Sequence, residues 1–261
     1  MRFLKKLPSL SNVAAGSTAV LNIPVAGRTV DQLKLIYSGM TLAQMKNIQF
    51  KANGKTFKKW KDGAQLSWMN AYYGKPDTAG MLTFWFVENE LQTMADKRMP
   101  ALGTEDLSTL TLEFDIDAAA AAPKASASAM LSDKMPFGMT TKVLQFPNSS
   151  ATAGIKEIDN LATGGARIKA IHAIKADINS AELELNGYLG FEGKIETQNQ
   201  ILKDNGRVPQ DGIFHMDFVV DGDMAQAIPT KGIQDLRMRY DLATAGTLDL
   251  VVEYYDGLQG I

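Results

Sequence analysis

The amino-acid sequence predicts an all-β protein built from two tandem eight-stranded jelly rolls. Three observations predict it. The first is an internal repeat. Leu33-Lys34-Leu35-Ile36-Tyr37 matches Ile168-Lys169-Ala170-Ile171-His172, Phe50-Lys51-Ala52-Asn53-Gly54 matches Leu183-Glu184-Leu185-Asn186-Gly187, and Leu82-Thr83-Phe84-Trp85-Phe86-Val87 matches Phe214-His215-Met216-Asp217-Phe218-Val219. The order is the same in both halves, and Gly54 to Phe86 spans 32 positions where Gly187 to Phe218 spans 31. Three matches in register describe one supersecondary plan used twice. The second observation is that most segments alternate polar and apolar residues, the period of a half-buried strand. The third is that Gly, Asn and Pro turns interrupt them often, as in a sandwich or barrel.

The elements follow in order. Residues 17–25 alternate and stop at the turn 24–27, and residues 32–37 form a second strand. Thr41-Leu42-Ala43-Gln44 has the form of a capping box and opens a short helical turn to Lys46. Strands 47–52 and 55–61 flank Asn53-Gly54, the strongest short hairpin signal, because both residues accept positive φ. Residues 81–87 are strongly apolar, and 109–116 set Leu110, Leu112, Phe114 and Ile116 against Thr111, Glu113 and Asp115. Short helices occupy equivalent places. One is N-capped by Asn89 and stopped before Pro100, and the other covers 224–228, after Asp221-Gly222-Asp223. Residues 118–129, rich in Ala and Ser, read as a linker because they offer little volume to a core. They place a domain boundary between residues 1–134 and 135–261. The second half then predicts strands at 140–146, 167–175, 181–185, 188–191, 213–220, 233–240 and 247–255, with 192–210 as an exposed loop.

Bulk properties narrow the function classes. The chain has 261 residues, 45% hydrophobic and 21% charged, enough for two domains of ordinary size. It has no cysteine, which excludes disulfides, thiol nucleophiles and cysteine metal sites. A net charge of −2 argues against direct nucleic-acid binding. That balance is uneven. Residues 1–134 carry 16 Lys and Arg against 12 Asp and Glu, a net +4, and residues 135–261 carry 11 against 17, a net −6. Much of the excess lies in Lys46, Lys51, Lys55, Lys58, Lys59 and Lys61. These read as a phosphate patch, as a lysine-guarded edge strand, or as a basic flank facing the acidic half of a neighbouring subunit. The basic, apolar segment 1–7 reads as an arm for lipid or a neighbouring subunit, or as a frayed end.

A search for chemistry returns little. His172 and His215 each lie in an apolar strand, outside any HExxH-like cluster, and read as structural. No GxSxG, P-loop or GxGxxG occurs. The carboxylate pairs Asp115 with Asp117 and Asp221 with Asp223 are weak candidates for a calcium site, since oxygen ligands on loops suit that ion. They are weaker still as a glycosidase pair. No catalytic residue is predicted. Trp60, Trp68, Tyr72 and Tyr73 would supply a sugar platform in an alternative reading as a carbohydrate-binding, adhesin-like β protein, or would pack beneath a loop.

Several motifs carry a resemblance. Asn12-Val13-Ala14-Ala15-Gly16, Tyr37-Ser38-Gly39 and Arg98-Met99-Pro100-Ala101-Leu102-Gly103-Thr104 resemble the corticovirus major capsid proteins. So do Glu113-Phe114-Asp115-Ile116-Asp117 with Pro123-Lys124, and Ile233-Gln234-Asp235-Leu236-Arg237 with Val252-Glu253-Tyr254. The matches run in order along nearly the whole chain. Residues 56–78 and 191–208 match poorly and read as surface loops. The resemblance implies a double jelly-roll capsid protein of a tailless, icosahedral bacterial virus with an internal membrane. It implies homotrimers forming pseudo-hexagonal capsomers, neighbouring capsomers and a vertex (penton) protein as partners, and calcium as a structural ion. It places the chain in the virion, made in the bacterial cytoplasm, with no enzymatic activity.

Overall fold

The structure is a computed structural model that describes residues 1–25 and 27–260. It divides into two compact units, Met1–Leu144 and Gln145–Ile261. The first unit contains β1 (Phe3–Lys6), β2 (Thr18–Asn22), β3 (Arg28–Ser38), β4 (Met45–Ala52), β5 (Lys55–Asp62), α1 (Gly63–Tyr72), β6 (Met81–Trp85), α2 (Met94–Arg98), β7 (Leu110–Ile116) and β8 (Lys124–Lys134). β9 (Thr140–Phe146) runs across the boundary. The second unit contains β10 (Ser149–Ser150), β11 (Gly154–Ile158), β12 (Arg167–Ile174), β13 (Ile178–Leu185), β14 (Tyr188–Lys194), α3 (Ile195–Asp204), β15 (Ile213–Asp217), β16 (Ile228–Pro229), β17 (Leu236–Leu242), β18 (Gly246–Thr247) and β19 (Asp249–Asp256).

In the first unit one sheet runs β1-β8-β3-β6, and a second orders β2-β7-β4-β5 with β9 added in parallel through Lys58 and Val143. Alternation along each strand sends one apolar set inward. Leu33 and Leu35 of β3, Leu82 and Phe84 of β6 and Ala127 and Ala129 of β8 are buried. So are Ile48 and Phe50 of β4, Trp60 of β5 and Leu112 and Phe114 of β7. Phe50 sits edge-on to Phe84 at 5.0 Å and to Phe86 at 5.3 Å, which ties the two sheets together.

The second unit repeats the plan. Its sheets run β15-β12-β19 and β14-β13-β17-β11, the counterparts of β6-β3-β8 and β5-β4-β7-β2. The turns repeat too. Asn53 and Asn186 have φ of 50° and 49°, and Gly54 and Gly187 follow at 77° and 80°, the left-handed pair that a tight hairpin needs. Each Asn also latches the chain that leads into a distant strand. Asn53 Oδ1 accepts from the Ser108 and Thr109 amides at 2.8 and 3.1 Å. Asn186 Oδ1 accepts from the Gln234 and Asp235 amides at 2.9 and 3.0 Å. This latch aligns Thr109-Leu110 with Asp235-Leu236, so β7 and β17 are equivalent.

Several elements depart from the sequence reading. The Ala/Ser stretch is no linker: Lys124–Lys134 is a strand held between β1 and β3. Its serines and alanines alternate, and Ala127 and Ala129 are buried against the core, where small side chains let the sheets approach. The chain instead leaves the first unit through β9. Residues 56–78 and 191–208 are not simple loops, since each contains a ten-residue helix placed after the hairpin. α1 buries polar Gln65 and Asn70 beside Leu66 and Met69, which blurs its periodicity. Asn70 spends its amide on Asp77 and the Thr83 carbonyl, at 2.9 and 2.8 Å. α3 buries only Gln198 and Leu202, too few apolar positions to show as a helix. α2 starts at Thr93, which caps the Asp96 amide, and not at Asn89; residues 88–91 turn to bury Leu91. The predicted second helix is a single 3-10 turn, Met224–Gln226, because Ile228 and Pro229 pair with β12.

Candidate functional site

The lysine-rich hairpin β4–β5 is not an edge, because β5 pairs with β4 and β9. Its charges are partly spent within the unit. Lys46 pairs with Asp117 at 2.5 Å and Lys51 with Glu113 at 2.6 Å, while Lys58 is buried with its ammonium 5.3 Å from the Phe86 ring centroid. Lys55, Lys59 and Lys61 are exposed.

The acidic candidates do not converge. Asp115 accepts from Thr18 at 2.6 Å and Asn47 at 2.8 Å, and these hydrogen bonds hold its carboxyl below the usual range. Asp117 is held low by the hydrogen bond from Lys46 and by the Ala119 amide. Asp221 accepts from the Asp223 amide at 3.0 Å, and Asp223 caps Ala225 at 2.8 Å. Among the described residues, no three His, Cys, Asp or Glu side chains gather in a way that could hold a metal ion.

The two histidines, each predicted to be structural, meet. β12 and β15 pair with His172 opposite His215, and the two Nδ1 atoms lie 2.7 Å apart. Alternation puts Ile171, Ala173, Phe214, Met216, Leu250 and Val252 on one face of this sheet. His172, His215, Asp217, Val251 and Glu253 occupy the other, and that face is buried too. His172 Nε2 is 3.0 Å from Glu253, and Lys169 pairs with the same carboxylate at 3.6 Å. Arg207 pairs with Asp217 at 2.8 Å. Sequence reasoning missed these ion pairs, as it missed buried Asp31 with Arg98 and Arg2. Asp31 shares its strand with Arg28, Gln32 and Lys34 and gave no signal, but Lys169, Asp217 and Glu253 are charges inside mostly apolar strands. A buried charge is costly unless it is paired, so each announced a partner. Both histidines are 0% exposed, so the pair is closed off from solvent.

Half of the aromatic platform is buried, while Trp68 and Tyr73 stay half-exposed. Trp60 is 3% exposed and packs on Phe50 and Phe84, and Tyr72 is fully buried. What remains outward is sheet flank and edge. β17 carries Arg237 and Arg239, which pair with Asp235, Glu157, Glu182 and Glu184 across three strands. Tyr188 of β14 and Ile155 of β11, on the outer strands of that sheet, are 74% and 68% exposed. Such edges and flanks are surfaces for association, not for catalysis.

Comparison with known proteins decides the class. Residues 4–132 match the viral coat protein P2 N-terminal domain and residues 140–258 match its C-terminal domain. The chain belongs to the viral coat protein P2 family. It is 33% identical to the major capsid protein P2 of Pseudoalteromonas phage PM2, over 97% of each chain. The crystal structure of that bacteriophage PM2 protein superposes with a TM-score of 0.96 at 32% identity, covering all of both chains. The STIV MCP shares the fold with a TM-score of 0.72 at 12% identity, over 98% of this chain and 96% of that one. The PBCV-1 virus capsid protein does so with a TM-score of 0.70 at 12% identity, over 98% and 93%. The fold of this P2 family member is therefore the double jelly roll. Its function is that of a major capsid protein, a structural component of the virion that assembles with other capsid subunits and is not an enzyme.

Proposed function

We propose that three copies of this chain form a pseudo-hexagonal capsomer, and that capsomers tile an icosahedral shell over an internal membrane. One observation carries the reading: the same strand order and the same Asn latch occur twice in one chain. Two similar wedges per chain give six similar flanks per trimer, the number a hexagonal lattice needs. Each contact within the trimer is then heterologous and closes on a threefold axis. The internal membrane and the vertex protein are supported by the family resemblance. Calcium, on this reading, is shared between subunits, since the described residues gather no metal site within one chain.

The test is native mass together with negative-stain microscopy. The purified chain should run at about 85 kDa, three times 28.4 kDa, with hexagonal particles showing a threefold axis. Calcium assayed on the same sample should follow the trimer peak. A stable monomer or dimer at micromolar concentration would refute the capsomer, and calcium held by monomer would refute the shared ion.

A further inference from the structure

The buried histidine pair has a defined proton arrangement. The Gln210 amide donates to His215 Nε2 at 3.1 Å, so that nitrogen carries no proton. The neutral ring then bears its proton on Nδ1 and donates it to His172 Nδ1 at 2.7 Å. His172 Nδ1 is thereby an acceptor, and its proton sits on Nε2, donated to Glu253 Oε1 at 3.0 Å. His215 has no vacant nitrogen. A second proton on its ring must go to Nε2, where it meets the Gln210 N–H head-on.

The segment that supplies Gln210 has a glycine near each end. It joins α3 to β15 and lies between Gly206 and Gly212, both left-handed at φ of 76° and 74°. A side chain at Gly206 would meet nothing within 4 Å, so the backbone there has room. Arg207 anchors one end through Asp217 at 2.8 Å and the Val219 carbonyl at 3.1 Å. Beyond that anchor Val208 is exposed and Gln210 is half-buried, and the Gln210 side chain closes only on the segment's own Val208 carbonyl.

We propose that residues 208–212 are an acid-released flap, latched to β15 by the Gln210 amide on neutral His215. The charged and titratable groups around the latch come from four elements. β12 brings His172 and Lys169, β19 brings Glu253 and Tyr255, β15 brings Asp217, and the connecting segment brings Arg207 and, within the flap, exposed Asp211. Burial, the largest cause, pushes the His215 pKa well below its ordinary value, against the opposing pull of Glu253. The closed state therefore binds fewer protons than the open one at acid pH. Closure is fully present above about pH 6.5, the ordinary histidine value, and weakens as pH falls below it.

Amide hydrogen exchange on the full-length protein, corrected for intrinsic rate, reads the latch directly. From pH 7.5 to pH 5.0 the Gln210 protection factor should fall about thirtyfold, the gain from one proton taken up by a ring that titrates near pH 6.5 once released. Arg207, whose amide donates to the Leu202 carbonyl, is the internal control and should hold. His215→Gln, whose side-chain oxygen can reach the Nε2 position without titrating, should keep Gln210 protected at pH 5.0. Unchanged Gln210 protection in the natural sequence overturns the proposal, and so does loss spread across β12, β15 and β19. Should the variant not fold, imidazole nitrogen NMR of the natural sequence decides. A proton on His215 Nδ1 at pH 7.5 is expected, and a proton on Nε2 overturns the latch.

Discussion

At the residue scale, one side chain does the same work twice. Asn53 and Asn186 make the left-handed turn and hold two backbone amides of the chain entering β7 and β17. Removing an acceptor from two amides costs about 1–2 kcal/mol. Asn53→Ala and Asn186→Ala should each lose that much in chemical denaturation. Asn→Asp at either site keeps an oxygen in place and tolerates the left-handed backbone, so it should stay within about 0.5 kcal/mol of the natural sequence. The hairpin half of this motif was legible in the sequence, because Asn-Gly has few other uses between two strands. The latch half was not, since its partners lie 55 to 56 residues away in one unit and 48 to 49 in the other. The histidine pair is a similar case. Each histidine was readable as buried, but their contact depends on β12 and β15 lying side by side in one register.

At the scale of elements, β8 is the instructive one. An Ala/Ser alternation has too little volume to advertise a core strand, yet the period of two was there. Ala127 and Ala129 are 1% and 0% exposed while β8 is paired on both sides. Small side chains are required where they stand, so bulk there should be penalised. Ala129→Leu should cost about 1–3 kcal/mol by overpacking. Ser128→Thr on the other face should fall within about 0.5 kcal/mol, and both are measurable by urea denaturation. If Ala129→Leu were neutral, the claim of close packing at β8 would be wrong. The helices α1 and α3 were missed for a related reason. They bury polar side chains, Gln65 and Asn70 in one and Gln198 in the other, which are satisfied by backbone groups of β5, β6 and β15. A hydrophobic pattern cannot report a face that is polar and satisfied.

At the scale of the molecule, function is assembly with other capsid subunits. The uneven charge of the chain, +4 over residues 1–134 and −6 over residues 135–261, bears on how copies meet. The test belongs on Lys55, Lys59 and Lys61, which are exposed. On the proposed trimer, changing those three to Glu should weaken association of copies in low salt and lessen its sensitivity to added salt, read by analytical ultracentrifugation across ionic strength. Trimers that form equally well, with the same salt dependence, would remove charge from the account of assembly.

By itself the sequence determined that this chain is β-rich, duplicated and devoid of an evident active site. Those properties are local: period-two alternation, Asn-Gly turns, and repeated short motifs survive in a linear reading. Only the tertiary structure decided which residues meet. It made a core strand of an apparent linker, spent Asp115 and Asp117 on Thr18, Asn47 and Lys46, and joined two distant histidines to the segment before β15. The physical reason is register. A strand's partners, and the face each side chain takes, are set by pairing across tens of residues, and no local pattern encodes that choice.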